Sequence, residues 1–214
     1  MAVFKNGLFN GLSGKVGNAI VYPLYGQNVM RSRPGKRTKK AGPNEQATRD
    51  KFALMQHWLQ PLLHFLRIGF KNYAQTFQGF VAAKSYNSRY AFKQHEDGSW
   101  YIDPACILVS HGALPLPHTM GMEVAEQNLT ISWSVDPHDH DRALDGAMIV
   151  MYMPDTNWVD GDFAASRRHT GQAVFPLPLN PENKEIHVYL AFVAYDHSAQ
   201  SKSHYLGTIE LPEK

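Results

Sequence analysis

The chain has 214 residues, 43% of them hydrophobic and 12% aromatic, which excludes disorder over most of its length and leaves room for one large domain or two small ones. No apolar run reaches the roughly 18 to 20 residues that span a bilayer, and the N-terminus has no apolar stretch with a cleavage site. The net charge of +2 conceals an asymmetry: residues 1–51 carry ten Lys and Arg against Glu45 and Asp50, whereas the rest carries eleven basic and seventeen acidic residues. Such blocks act on partners and solubility rather than on fold.

The first stretch, residues 6–18, is rich in glycine, which suits positive φ or the close approach of another backbone. An apolar run (Ala19 to Tyr25), a turn signal (Gly26-Gln27-Asn28) and a second run (Val29 to Arg33) predict a β-hairpin. Pro23 cannot donate to a ladder, which places the first of these strands at an edge. The second alternates Val29, Arg31 and Arg33 on one face against Met30 and Ser32. Residues 34–43 read as a basic linker containing Lys36, Arg37, Lys39 and Lys40.

From Asn44, a candidate N-cap, Phe52, Met55, Trp58/Leu59, Leu62/Leu63 and Leu66 recur at three and four and predict an amphipathic helix that Pro61 kinks or splits. A second helix is expected near Tyr73 to Ser85, with Phe77, Phe80 and Val81 inward. After Gly98 the pattern becomes β-like: Trp100 to Ile102, Ala105 to Ser110, Glu123 to Ala125, Leu129 to Val135, Ala147 to Met153, Ala173 to Phe175, Ile186 to Ala194 and Ser203 to Leu211. Leu129, Ile131 and Trp133 share one face. About seven such strands predict a β-sandwich of immunoglobulin or fibronectin III-like layout. The expected class is α+β: a Gly-rich basic arm and hairpin over 1–43, a helical segment over 44–97 and the sandwich over 98–214.

Little in the chain points to catalysis. Gly11-Leu12-Ser13-Gly14-Lys15-Val16 fails the phosphate-loop pattern, because Phe9 stands where the first Gly is required and Val16 replaces the Mg²⁺-binding Ser or Thr. Asp136-Pro137-His138-Asp139-His140-Asp141 is the one metal-like cluster, with His138 and His140 two apart, but Pro137 and the acidic density fit a solvated loop. Arg167-Arg168-His169 beside Gly171 is a candidate anion contact, for which a solvated hairpin is the plainer account. The single Cys106 cannot form an internal disulfide and lies in an apolar run, where a buried, unreactive thiol is expected. No cofactor, metal or small-molecule substrate is predicted, and the expected location is the cytoplasm, with a virion component or leaderless export sharing the same features.

Gly-Leu-Ser-Gly-Lys-Val-Gly-Asn (11–18), Val-Met-Arg-Ser-Arg-Pro (29–34), Phe-Leu-Arg-Ile-Gly-Phe (65–70), Val-Ser-His-Gly-Ala-Leu-Pro (109–115), Val-Tyr-Leu-Ala-Phe-Val (188–193) and Ser-His-Tyr-Leu-Gly (203–207) together resemble an uncharacterised family of Bacteroidota proteins, domain of unknown function 6266. The resemblance implies that arm, helices and β-rich end belong to one unit. It brings no activity and no catalytic residues to carry over, and its blocks of Gly, Arg and aromatic residues fit assembly better than chemistry.

The resulting expectation is a non-enzymatic structural or interaction protein. Its N-terminal hairpin would dock onto a protein partner or another copy, with Gly7, Gly11, Gly14 and Gly17 allowing close approach and Lys15, Arg31, Arg33, Lys36, Arg37, Lys39 and Lys40 supplying cationic contacts. The alternative is sequence-nonspecific nucleic-acid binding by the same Lys and Arg. Metal-dependent hydrolysis at His138 and His140 ranks behind both.

Overall fold

The computed structural model describes residues 2–4, 13–24, 26–36, 38–73, 78–178 and 185–210. The chain forms two compact units, Met1–Gln46 and Ala47–Lys214.

In the first unit, strands β1 (Ala2–Phe4), β2 (Gly14–Val16), β3 (Ala19–Leu24) and β4 (Gln27–Ser32) make an antiparallel sheet in the order β1-β4-β3-β2. The predicted hairpin is the β3–β4 pair. The expectation that Pro23 marks an edge strand needs correction. β3 is flanked on both sides at Ala19–Val21, where β2 pairs with it, and at Pro23 its one partner among the described residues is Asn28 of β4. A missing N–H is tolerated there because β2 has already ended. Among the described side chains of this sheet, Val21 and Val29 are the buried ones.

Helix α1 (Pro43–Leu59) starts on a proline whose fixed φ suits the first helical position. Gln46 closes the first turn by donating its N–H to the Gly42 carbonyl at 2.9 Å. Pro61 splits the predicted long helix, and α2 (Leu63–Gly69) resumes after one irregular turn. Met55, Trp58, Leu59, Leu62 and Leu66 are buried, as their spacing predicts. Phe52 is not: it is 55% exposed, beneath the Lys84 ammonium 3.9 Å from its ring centre. Helix α3 (Gly79–Tyr90) starts and ends later than predicted and turns Ala82, Ala83 and Asn87 inward, while Val81 is exposed. Phe77 lies outside the described residues.

A short hairpin, β5 (Phe92–Gln94) with β6 (Trp100–Ile102), precedes the run expected to be a strand at Ala105–Ser110. That run is a 3-10 turn (Pro104–Cys106) and an extended segment. Ile107, Leu108 and Val109 are buried in the core. Its backbone partners are mainly side chains rather than a neighbouring strand. Asn87 pairs with both the N–H and the C=O of Leu108, and Val109 N–H donates to Ser203 Oγ. The Ser110 hydroxyl reaches the carbonyls of Gly69 and Ser201.

Seven strands follow: β7 (Met120–Ala125), β8 (Asn128–Trp133), β9 (Gly146–Met153), β10 (Trp158–Asp162), β11 (Gln172–Pro176), β12 (Glu185–Val193) and β13 (His204–Glu210). They form two antiparallel sheets, β11-β8-β7 and β10-β9-β12-β13. Leu129, Ile131, Trp133 and Ala173 of the first share a core with Ile149, Met151, Val188, Leu190 and Phe192 of the second. On the opposite face of the four-stranded sheet, Met148, Val150, Tyr152, Tyr189 and Ala191 pack with the helical residues Met55, Trp58, Leu62 and Leu66. Helices, central sheet and outer sheet are thus three layers, and β9 and β12 are buried on both faces. The class is mixed α+β with antiparallel sheets throughout the described residues.

Candidate functional site

The N-terminal sheet brings together several cations predicted from the sequence. Directly paired residues of antiparallel strands project from the same face. Lys15 pairs with Ile20 and Ile20 with Arg31, so the two cations flank an isoleucine in one row, about 10 Å apart by strand spacing. The next row on that face holds Tyr22, Val29 and Val3. The Arg31 guanidinium lies 5.6 Å from the Tyr22 ring centre, a cation–π arrangement that orients the charge. Lys15 and Arg31 are exposed.

Arg33 follows the last strand residue and donates its N–H to the Asn18 carbonyl at 2.6 Å. Lys36, Lys39 and Lys40 are exposed in the segment before α1, where Lys39 and Lys40 each make interactions of their own. Gly14 and Gly17 sit at φ +127° and +56°, with nothing within 4 Å of an added Cβ. Their backbone conformation alone accounts for glycine, since L side chains rarely adopt it. Gly7, Gly11 and Arg37 lie outside the described residues.

The two parts of the chain carry opposite charge. Residues 1–46 have eight Lys and Arg and one acid, whereas residues 98–214 have six Lys and Arg and fifteen acids. Trp100, Tyr195 and Val174 are among the large side chains exposed on the second unit.

The loops at the β8–β9 end of the sandwich contain the predicted His–Asp cluster and the Arg-Arg-His run. Asp136 accepts the His138 N–H at 2.9 Å, and Arg142 pairs with Asp139 at 3.2 Å. Among the described residues, no three of His, Cys, Asp and Glu group together as a metal shell. Arg167 and Arg168 diverge. Arg168 is buried, donates to the Pro115 carbonyl at 2.9 Å and lies 4.7 Å from the Phe192 ring centre. Burial lowers its pKa, while Asp139 and Asp145 oppose the shift. The Arg168 carbonyl in turn accepts the Trp133 indole N–H at 2.8 Å. Asp145 is buried nearby, and burial raises its carboxyl above the usual range against the Tyr195 N–H and the pull of Arg168 and Arg142. Arg167 remains exposed and lies beside Tyr195.

Cys106 is half-buried and donates to Asp103 at 3.4 Å; burial, then the Asp103 contact, push its thiol up, which leaves it a poor nucleophile. A polar chain that sequence reading did not find links His187 Nδ1 to the Tyr205 hydroxyl at 3.0 Å and that hydroxyl to Thr208 Oγ1 at 2.7 Å. His187 lies on β12 and the other two on β13, so no local motif announces it. Among the described residues no helix is long and apolar enough to cross a membrane.

No curated protein matches the chain. A family model does, over residues 11–207, a span that runs from the cationic sheet to the last strand. With nearly the whole chain covered, the protein belongs to DUF6266, a family of unknown function.

Proposed function

We propose that the chain is a non-enzymatic interaction protein whose N-terminal sheet docks, through its cationic face, onto the acidic sandwich of a second copy. The observation that carries this reading is the row Lys15, Ile20 and Arg31, two exposed cations flanking an apolar residue on one sheet face. Charge complementarity supports a second copy as the partner, because residues 98–214 are as strongly acidic as the arm is basic. A small sheet with Val21 and Val29 as its described buried side chains also gains most from covering a face.

We infer that the sandwich is immunoglobulin-like, of the fibronectin III kind. Lettered in chain order, its first, second and fifth strands share one sheet and its third, sixth and seventh the other, as in that architecture. The fourth strand joins the latter sheet. The buried Trp133 stands on the second strand, and no disulfide ties the two sheets. Folds of this kind serve many binding roles, so the function rests on the charged face rather than on the architecture.

The test is light scattering behind size exclusion, with the 260/280 nm absorbance ratio, on the full chain and on the double variant Lys15→Glu, Arg31→Glu. Self-association with a protein spectrum, reduced to monomer in the variant, is expected. A wild-type monomer at every concentration, or a variant that associates unchanged, would overturn the reading. Co-purified nucleic acid that salt strips away would instead assign the arm to phosphate contacts.

A further inference from the structure

We propose that the β8–β9 end of the sandwich holds a binding site for a small organic anion, a carboxylate or phosphate carried on an aromatic or aliphatic body. A cavity of about 390 Å³ opens there, within the size range of ligand pockets. Three segments build it: the start of β9 at Gly146, the β10–β11 loop at Phe163 and Arg167, and the end of β12 with its following loop at Val193, Tyr195 and His197. Phe163, Val193 and the neighbouring alanines make the wall mostly apolar.

Arg167 is the fixed charge in this cavity. Its backbone bridges to Gly146, its Nη1 donates to the Leu144 carbonyl at 2.9 Å, and its guanidinium lies 5.2 Å from the Tyr195 ring centre. An arginine has five N–H donors. Among the described residues this one uses a single side-chain hydrogen bond and forms no ion pair. The carboxylates of the surrounding loops do not pair with it. Asp162 accepts the Ala164 N–H at 3.1 Å, Asp196 accepts the Ser198 N–H at 2.9 Å, and Asp145 accepts the Tyr195 N–H and faces Arg168 and Arg142, with its Oδ2 left without a hydrogen-bond partner. The adjacent Arg168 points into the core instead. Arg167 therefore presents a planar fork, with no ion-pair partner among the described residues, beside an apolar wall. Such a fork binds carboxylate or phosphate oxygens in pairs while the wall takes the organic body.

The experiment is a titration of the isotope-labelled full chain, followed through its amide resonances, with phenylacetate, phenylphosphate and the neutral phenylacetamide. Saturable shifts at Gly146, Ala164, Arg167 and the 194–197 turn are expected with at least one anion and not with the amide; the two anions tell a carboxylate site from a phosphate site. Arg167→Met should weaken binding at least tenfold, as expected for loss of a charged hydrogen bond of about 1.5–3 kcal/mol. Arg167→Lys should fall between, and Arg89→Met, at an exposed arginine of α3, should bind as wild type. Unshifted amides outside the site would show that the variants are folded. Equal binding of phenylacetamide, wild-type affinity in Arg167→Met, or no shift with either anion would overturn the proposal.

Discussion

Replacing Asn87 with Ala removes a side chain that acts as one rung of a β-ladder. Asn87 is fully buried on α3, and its amide pairs with Leu108 in both directions, donating to the carbonyl at 3.0 Å and accepting the N–H at 2.9 Å. Leu108 is itself 8% exposed, so water has little access to the groups left behind. Each lost bond costs about 1 kcal/mol net, and an orphaned buried donor or acceptor about 1–3 kcal/mol. Because both partners sit on one residue, a total of about 2–4 kcal/mol is expected. In a protein of this size that is a fall in Tm of about 5–15 °C. Denaturant unfolding is the assay, with the m-value unchanged and the midpoint lowered. Gln60→Ala, which removes an exposed side-chain bond to Gln56, serves as control and should stay within about 0.5 kcal/mol. A loss below about 1 kcal/mol for Asn87→Ala would refute the reasoning, since it would mean that the 107–110 segment finds other partners at no cost.

Trp133→Phe keeps the ring in the core but leaves the Arg168 carbonyl only the longer Gly171 N–H contact at 3.4 Å, and should cost about 0.5–1.5 kcal/mol in denaturant unfolding; an unchanged midpoint would remove that bond from the core's support. His187 is buried, and burial pulls its imidazole below the ordinary value of 6.5, against the weaker upward effects of Glu185, Asp155 and Asp103. The folded state then favours neutral His187, and below pH 6.5 the unfolded chain binds the extra proton. This contribution is complete above pH 6.5 and is lost as pH falls through that value towards the folded pKa. The stability difference between wild type and His187→Gln should therefore shift in the variant's favour on acidification; a difference constant from pH 8 to pH 5 would contradict it.

The parts of the fold most legible in the sequence are those in which one strand or helix buries a regular pattern. Leu129, Ile131 and Trp133 alternate because β8 faces a core on one side only, and Met55, Leu59, Leu62 and Leu66 mark a helix stripe around Pro61. The run Ala105–Ser110 looks like a strand because it is apolar and extended, but its hydrogen-bond partners are Asn87, Ser201 and Ser203 and the Gly69 carbonyl, which periodicity cannot reveal. Strand β10, Trp-Val-Asp-Gly-Asp, escaped notice because an outer strand needs few buried residues. Phe52 and Val81 are apolar yet exposed, and sequence spacing alone does not separate them from the buried stripe. The cationic character of the arm is plain from composition. That Lys15 and Arg31 share a face depends on the β2–β3–β4 register, which three residues of β2 do not announce. The Arg167-Arg168 pair reads as one basic motif, although one member turns into the core and the other out to solvent.

The double burial of β12 bears on how the chain is made. β12 pairs with both β9 and β13 and contributes Val188, Leu190 and Phe192 to one core and Tyr189, Ala191 and Val193 to the other. It comes late, at Glu185–Val193. During synthesis the eight residues of β9, all buried in the finished protein, emerge long before the strand that shields them. Neither the helix-facing layer nor the outer layer can close until residue 193 has left the ribosome, so the two layers complete together. The nascent chain must hold an uncovered apolar strand in the meantime, the situation in which newly made proteins are most exposed to aggregation and most in need of a chaperone.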